Sequence, residues 1–244
     1  MLNIKNLTVA HVGNQILQSI TLDLIPGQLC MLMGPNGSGK STLLYTLMGH
    51  PAYDVKEGTI FYNGIDLTEI TTENRARAGI FLVTQNSPSL PGVSILTFLH
   101  QAYRALVSPN ISITQLREIV EELCLTIGLS TSFIQRYVND GFSGGEKKRF
   151  ELLQLLLFKP KLALLDELDS GLDGDAQKQF IKILERVMLQ NSQMSILCVT
   201  HSYYISNYLR PDQIIVLNKG NIIATGDVSI ASKIENLGYD ALLL

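Results

Sequence analysis

The spacing of apolar residues changes twice along the chain, and each change predicts a change of architecture. Residues 2–25 alternate apolar and polar positions with a break at Gly13-Asn14, the pattern of a β-hairpin. The stretch 29–33 is apolar throughout, which suits a short strand buried on both faces. Beyond a glycine-rich interruption, Leu43, Leu44, Leu47 and Met48 fall on one face of a helix. Strand-like patterning returns over 58–83 around a turn at Asn63-Gly64.

The middle of the chain has helical spacing. Ser94 stands as an N-cap before Ile95, Phe98, Leu99, Ala102 and Leu106, and Ser112 with Gln115 is spaced as a capping box. Leu116, Ile119, Val120, Leu123 and Ile127 continue the helical period up to Gly128, a stop signal. Alternating elements then resume. Residues 162–165 and 195–200 read as buried strands, with Phe180, Ile181, Leu184, Val187 and Met188 on a helix face between them. Residues 214–217 and 222–225 flank a turn at Lys219-Gly220. Strands alternating with helices predict an α/β fold with a mostly parallel, covered central sheet. One domain is expected, with its core in 1–87 and 151–244 and a helical subdomain inserted at 88–150. The chain shows no internal repeat and no low-complexity stretch.

Composition narrows the function classes. Of the 244 residues, 46% are hydrophobic and 17% charged, the balance of a globular protein able to bury a sizeable core. A net charge of -3 exerts no general pull toward nucleic acid or anionic lipid, so no nucleic-acid partner is expected. No apolar run approaches the ~20 residues of a membrane span, and no direct membrane insertion is expected. The first residues, Met1-Leu2-Asn3-Ile4-Lys5, lack a basic stretch followed by an apolar core, so no signal peptide is expected. Cys30, Cys124 and Cys198 are far apart among apolar residues, as buried free thiols are, whereas a metal site needs clustered ligands. A reducing, cytoplasmic setting is the expectation.

The glycine-rich interruption carries the chemistry. Gly34-Pro35-Asn36-Gly37-Ser38-Gly39-Lys40-Ser41 matches G-x-x-x-x-G-K-[ST] in full, between a predicted strand and a predicted helix. Its glycines let backbone N–H groups converge on phosphates, and the following helix directs its N-terminal dipole at the same anion. Lys40 can reach the β- and γ-phosphates of ATP, and Ser41 can offer a hydroxyl to Mg²⁺. A glycine-rich turn that binds nothing would not need the whole motif in this context. Downstream, the apolar strand 162–165 ends in Asp166 and Glu167. Acids at the C-terminal edge of a parallel sheet sit where such sheets bind ligands. With a phosphate loop upstream, Asp166 reads as a Mg²⁺ ligand and Glu167 as the base for the attacking water; alone, the pair would be a solvated acidic turn.

Ser143-Gly144-Gly145-Glu146 reads locally as a capping box at a helix start. The same geometry points N–H groups outward as an anion site. Because the chain's own phosphate loop already serves its ATP, a second such site suggests completion of a site on another chain.

Together these segments resemble the ATP-binding-cassette (ABC) ATPases, and the resemblance covers nearly the whole chain. It rests on the phosphate loop, Gln85, Ser143-Gly144-Gly145-Glu146-Lys147, the strand to Asp166-Glu167, Ser170-Gly171-Leu172-Asp173, and His201 after a strand. It implies a phosphate-loop head with a mostly parallel central sheet, an antiparallel β subdomain and an inserted helical subdomain. It also implies head-to-tail association with a second copy, each ATP lying between one phosphate loop, Thr42 included, and the other copy's Ser143 and Gly145. Gln85 would contact Mg²⁺ and the attacking water, His201 the γ-phosphate, and Asp173 would belong to the loop crossing the interface. Alone, His201 would be a structural histidine and Gln85 a polar loop residue. The adenine-stacking aromatic common in transporter heads is not evident, and His11 is the nearest candidate.

A narrower resemblance is to the ATPase subunit of the SUF iron–sulfur cluster assembly system. It rests on Gly141-Phe142-Ser143-Gly144-Gly145-Glu146-Lys147-Lys148-Arg149, then Glu151-Leu152-Leu153-Gln154, and on Asp169-Ser170-Gly171-Leu172-Asp173 where most transporter heads carry Pro-Thr-Ser-Ala-Leu-Asp. Gly49-His50-Pro51, Gly79-Ile80-Phe81, Pro91-Gly92-Val93-Ser94 and Gly238-Tyr239 also fit. This resemblance implies a partnership with two related scaffold subunits. Asn86-Ser87 depart from the usual aromatic-Pro, and Phe150 from the usual Asn. The alternative is the ATP-binding subunit of an ABC membrane transporter. A DNA-repair or chromosome-organising head would need long insertions for which the chain has no room. Apolar Leu90, Pro91, Val93 and Ile95 beside an expected loop mark a docking candidate.

Overall fold

The computed structural model describes residues 1–85, 87–167, 174–200 and 203–242. The first elements are β1 (Leu2–His11), β2 (Asn14–Leu24), β3 (Leu29–Met33), α1 (Lys40–Met48), β4 (Tyr53–Tyr62), β5 (Ile65–Asp66), α2 (Thr72–Arg77) and β6 (Ile80–Val83). Next come β7 (Leu90–Ser94), α3 (Ile95–Leu106), α4 (Ile113–Thr126), β8 (Tyr137–Val138), α5 (Gly144–Phe158), β9 (Leu162–Asp166) and α6 (Gly174–Gln190). The chain closes with β10 (Ser195–Val199), α7 (Tyr203–Leu209), β11 (Gln213–Asn218), β12 (Asn221–Gly226) and α8 (Ser229–Leu237). These elements form two compact units. One comprises Met1–Leu82, Lys161–Leu168 and Gln193–Leu244, the other Val83–Pro160 and Asp169–Ser192.

The first unit holds a four-stranded sheet, order β2-β1-β4-β5, antiparallel throughout. The predicted hairpin turns at Val12-Gly13, one residue earlier than the pattern placed it, with both residues in the left-handed region (φ 48 and 78). The central sheet has the order β12-β11-β3-β10-β9-β6. Within it β11, β3, β10 and β9 pair in parallel, and β12 is an antiparallel edge. Every residue of β3, β9 and β10 is buried, which is why these strands read as unbroken apolar runs. One core joins Leu7, Leu17 and Ile20 of the antiparallel sheet to Leu32, Leu164 and Leu197 of the central sheet and to Leu43, Leu44 and Leu47 of α1.

In the second unit the capping boxes form as expected. Ser94 accepts from the Thr97 amide, and Ser112 and Gln115 cap α4 reciprocally. The insert is not purely helical: β7 pairs antiparallel with β8, where a loop was expected. Ile95 belongs to the core and not to the exposed stretch before it. The helices α2, α7 and α8 were not legible in the pattern, being short, with 6, 7 and 9 residues.

α2 nonetheless matters to the phosphate helix. Its Arg75 is only 4% exposed. Nη1 donates to the carbonyls of Thr46 (2.8 Å) and Leu47 (2.9 Å), in the last turn of α1. Nε donates to Ile70 (2.8 Å) and Nη2 to Leu67. Burial presses the guanidinium pKa down, opposed by Asp66. The cation thus sits at the negative end of the α1 dipole, where it takes the Leu47 carbonyl and adds a second donor to Thr46, which already accepts from the Gly49 amide. Hydrogen bonds to a charged donor contribute about 1.5–3 kcal/mol each. Arg75→Met should therefore lower unfolding free energy by at least ~2 kcal/mol, and Arg75→Lys should recover only part of it, since an ammonium lacks the planar fork. Urea denaturation checks this; an Arg75→Met midpoint equal to the parent's would contradict the assignment.

Candidate active site

The first unit brings the phosphate loop and the two acids to one sheet edge. Val199 of β10 lies opposite Leu32 of β3 on one side and Asp166 of β9 on the other. The strand feeding the loop and the strand carrying the acid therefore end level, and their C-terminal ends form the crevice where parallel sheets bind ligands. The loop leaves β3 at Gly34, where a Cβ would lie 2.1 Å from the carbonyl oxygen of Leu217 and no side chain fits. No side chain caps the start of α1, which leaves its positive dipole end to an anion.

Lys40 is 5% exposed. Its Nζ donates to the carbonyls of Gly34 (2.9 Å) and Pro35 (3.0 Å), so the side chain lies back across the loop. Burial lowers its pKa, while the nearby carboxylates of Glu167 and Asp166 favour the charged form. Ser41 Oγ donates to Oδ1 of the buried Asp166 at 3.1 Å. A hydroxyl and a carboxylate this close, beside a phosphate loop, are the hard oxygen donors that a Mg²⁺ ion shares with substrate phosphates, so the residues fit that ion. Glu167 follows in the left-handed region (φ 50), an uncommon conformation for a non-glycine residue, and its amide donates to the Val199 carbonyl at 3.1 Å. Thr42 is buried in the first turn of α1.

The second unit builds the start of α5. Ser143 Oγ accepts from the Glu146 amide (3.2 Å) and Glu146 Oε2 accepts from the Ser143 amide (2.8 Å), closing the capping box. The other carboxylate oxygen pairs with Arg136, whose guanidinium lies 4.6 Å from the ring centre of Phe142. The Ser143 amide first, then Arg136, hold the Glu146 carboxyl below the usual range. A Cβ on Gly145 would meet nothing within 4 Å, so the surface there is open. Farther along α5, Lys148 and Glu151 form a buried ion pair at 3.3 Å. Burial raises the Glu151 pKa, with Lys148 opposing. Ser87, one of the departures from the family pattern, donates its hydroxyl to Glu151 Oε1 at 3.3 Å. Gln85, two residues before it, is exposed.

Of the residues predicted from sequence, Gly34–Thr42, Asp166 and Glu167 thus gather in the first unit, and Gln85, Ser143 and Gly145 belong to the second. Asp173 and His201 lie outside the described residues. His11 packs its ring 5.1 Å from Tyr53 and places Nδ1 2.9 Å from the Ala52 carbonyl oxygen. Arg75 and Ser87 were missed as supporting residues. An arginine in a short helix and a serine in a loop carry no periodic signal, and only the contacts reveal them.

The sequence profile described as ABC transporter matches residues 17–170. The chain is 43% identical over 246 residues to the "Probable ATP-dependent transporter ycf16" of Antithamnion sp., covering 99% of this chain and 97% of that one. It is 41% identical to the "Probable ATP-dependent transporter slr0075" of Synechocystis sp., covering 99% and 95%. With "Vegetative protein 296" of Bacillus subtilis the identity is 39%, covering 98% and 92%. The fold matches the dimeric bacterial ABC transporter cassette MJ0796 with a TM-score of 0.81 at 21% identity, covering 93% of this chain and 99% of that chain. A profile match over more than half of the chain, and relatives of such identity across nearly all of it, identify this protein as a member of the ABC family, an ATP-binding cassette that hydrolyses ATP.

Proposed function

We propose that this cassette is the ATPase subunit of a cytoplasmic SUF-type iron–sulfur cluster assembly complex, and that ATP closes two copies head to tail while hydrolysis reopens them. The observation that carries the catalytic part is the 3.1 Å contact between Ser41 and Asp166, directly beside Lys40 and Glu167. In this reading the backbone of Gly34, Pro35, Asn36, Gly37, Ser38 and Gly39 wraps the phosphates. Lys40 exchanges its two loop carbonyls for β- and γ-phosphate oxygens. Ser41 and Asp166 would hold Mg²⁺, with Gln85 a further ligand as the resemblance to the family implies, and the ion would neutralise charge on the phosphates. Glu167 takes a proton from the attacking water, Gln85 and His201 orient the water and the γ-phosphate, and attack on the γ-phosphorus releases ADP and phosphate. Ser143, Gly145 and the dipole of α5 complete the site of the second copy, with Asp173 at the shared interface.

The iron–sulfur reading is supported by the extended signature from Gly141 to Gln154 and by Asp169-Ser170-Gly171-Leu172-Asp173. A second reading, the ATP-binding subunit of an ABC membrane transporter, is favoured by the names of two relatives, both "Probable ATP-dependent transporter". Among the described residues no helix is long and apolar enough to cross a membrane, so the two readings differ in the partner. The β7–β8 ribbon is the docking candidate. Leu90 and Val93 are 37% and 38% exposed and Tyr137 is 48% exposed, so a ribbon of only two strands leaves apolar side chains open to solvent.

Three outcomes are expected. Glu167→Gln retains the shape but not the base, so turnover should fall by about 10²–10⁴ while Mg²⁺-ATP still binds and dimers accumulate on size exclusion. Parental turnover in that variant would remove Glu167 from its role. Mixing Lys40→Ala chains with Ser143→Arg chains leaves one intact composite site per mixed dimer, and ATPase activity should partly return; confirmed mixed dimers as inactive as either variant would contradict a shared site. Leu90→Asp should keep basal hydrolysis and lose the partner in a pull-down. Capture of cluster scaffold subunits by the parent supports the first reading, and capture of an integral membrane permease supports the second.

A further inference from the structure

The phosphate loop is backed by the far end of the chain. The Gly34 amide donates to the hydroxyl of Tyr239 at 3.2 Å. The Ser38 carbonyl accepts from the Gly220 amide at 3.0 Å, and the Gly220 carbonyl accepts from the Gln18 amide at 2.8 Å. The β11–β12 turn is itself held tightly: a Cβ on Gly220 would lie 2.1 Å from the Ile16 carbonyl oxygen. Tyr239 follows Gly238, which stops α8 with φ 76, and opens a 3-10 turn at Tyr239–Leu242. Its ring is half-buried, and burial raises the phenol pKa, so the hydroxyl stays neutral at physiological pH. Both anchors lie beyond residues 17–170, the part that the family profile describes.

We propose that Tyr239 is a positioning residue for ATP binding, whose hydroxyl fastens the first glycine of the phosphate loop from behind and keeps the loop in its binding shape before nucleotide arrives. The inference rests on the reading of Gly34–Ser41 as the phosphate site. Its physical basis is the cost of ordering. A loop that must order on binding loses affinity in proportion to the fraction of time spent in other shapes, and a preformed loop does not. The amides of this loop must converge on one point, and Gly34 is where the loop departs from β3. A rotation at that position would move every amide that follows. By reciprocity, nucleotide that favours the fastened loop must also favour the fastened tail.

Tyr239→Phe in the full chain is the test, because it keeps the ring and removes the acceptor. Titration calorimetry with Mg²⁺-ATP should show Kd rising about three- to tenfold, the range allowed by loss of one neutral hydrogen bond. The kcat at saturating ATP and the Tm without nucleotide should stay close to the parent's, and KM should follow Kd. In the parent, ATP should slow amide exchange over Tyr239–Leu242, and Tyr239→Phe should abolish that slowing. A Tyr239→Phe variant that binds ATP as tightly as the parent, or that lowers Tm without moving Kd, overturns the proposal and leaves Tyr239 a packing residue. Lys40→Ala separates the layers. If it too binds ATP normally, the phosphate-site reading fails; if it loses ATP while Tyr239→Phe does not, only the role of Tyr239 fails.

Discussion

Three parallel strands that end level make the catalytic chemistry possible. With Leu32, Val199 and Asp166 in one row of the sheet, the loop after β3 and the carboxylate closing β9 meet across a single intervening strand. Backbone hydrogen bonding sets that row, and the strands are buried on both faces, so a slip of register would set every side chain against the wrong neighbours and carry the acid away from the loop. The Ser41–Asp166 bond at 3.1 Å is the result. It joins the first turn of α1 to the sheet edge and leaves two hard oxygen donors together where a divalent cation and phosphates would share them.

Among the described residues buried charge is handled in one way. Each charged group taken from water is met by fixed partners: Lys40 by two loop carbonyls, Arg75 by four carbonyls, Lys148 by Glu151. Desolvation on this scale is tolerated only with such partners. The partners differ in consequence. Arg75 closes the far end of α1 and stays, whereas Lys40 rests on carbonyls of the very loop it would serve, a contact that an incoming phosphate can replace. The signature end of α5 depends on Glu146, which holds its own capping box with one oxygen and Arg136 with the other. That double use fixes the capping box and the Arg136 contact through one side chain.

Much of this architecture is legible in the amino-acid sequence. The hairpins, β3, β9 and β10, the caps at Ser94, Ser112 and Ser143, and the phosphate loop all follow from local rules: a period of two or of 3.6, a capping side chain, a motif whose glycines are needed for close approach. Those rules act within about ten residues, and they hold here because local preference and tertiary structure agree. The β7–β8 ribbon was missed because its partner strand is only Tyr137–Val138, too short to show a period.

The sequence by itself determined the chemistry on offer: which residues can meet phosphate, metal and water, and the order in which the chain presents them. It also determined the burial of Cys30, Cys124 and Cys198, whose apolar neighbours leave thiols nowhere else to go. Only the tertiary structure decided which groups touch. Arg75 on the carbonyls of α1, Ser87 on Glu151 and Tyr239 on Gly34 join positions 28, 64 and 205 residues apart. Hydrogen bonds over such separations leave no periodic trace in a sequence, because their geometry exists only after the sheet has set its register and the helices have packed.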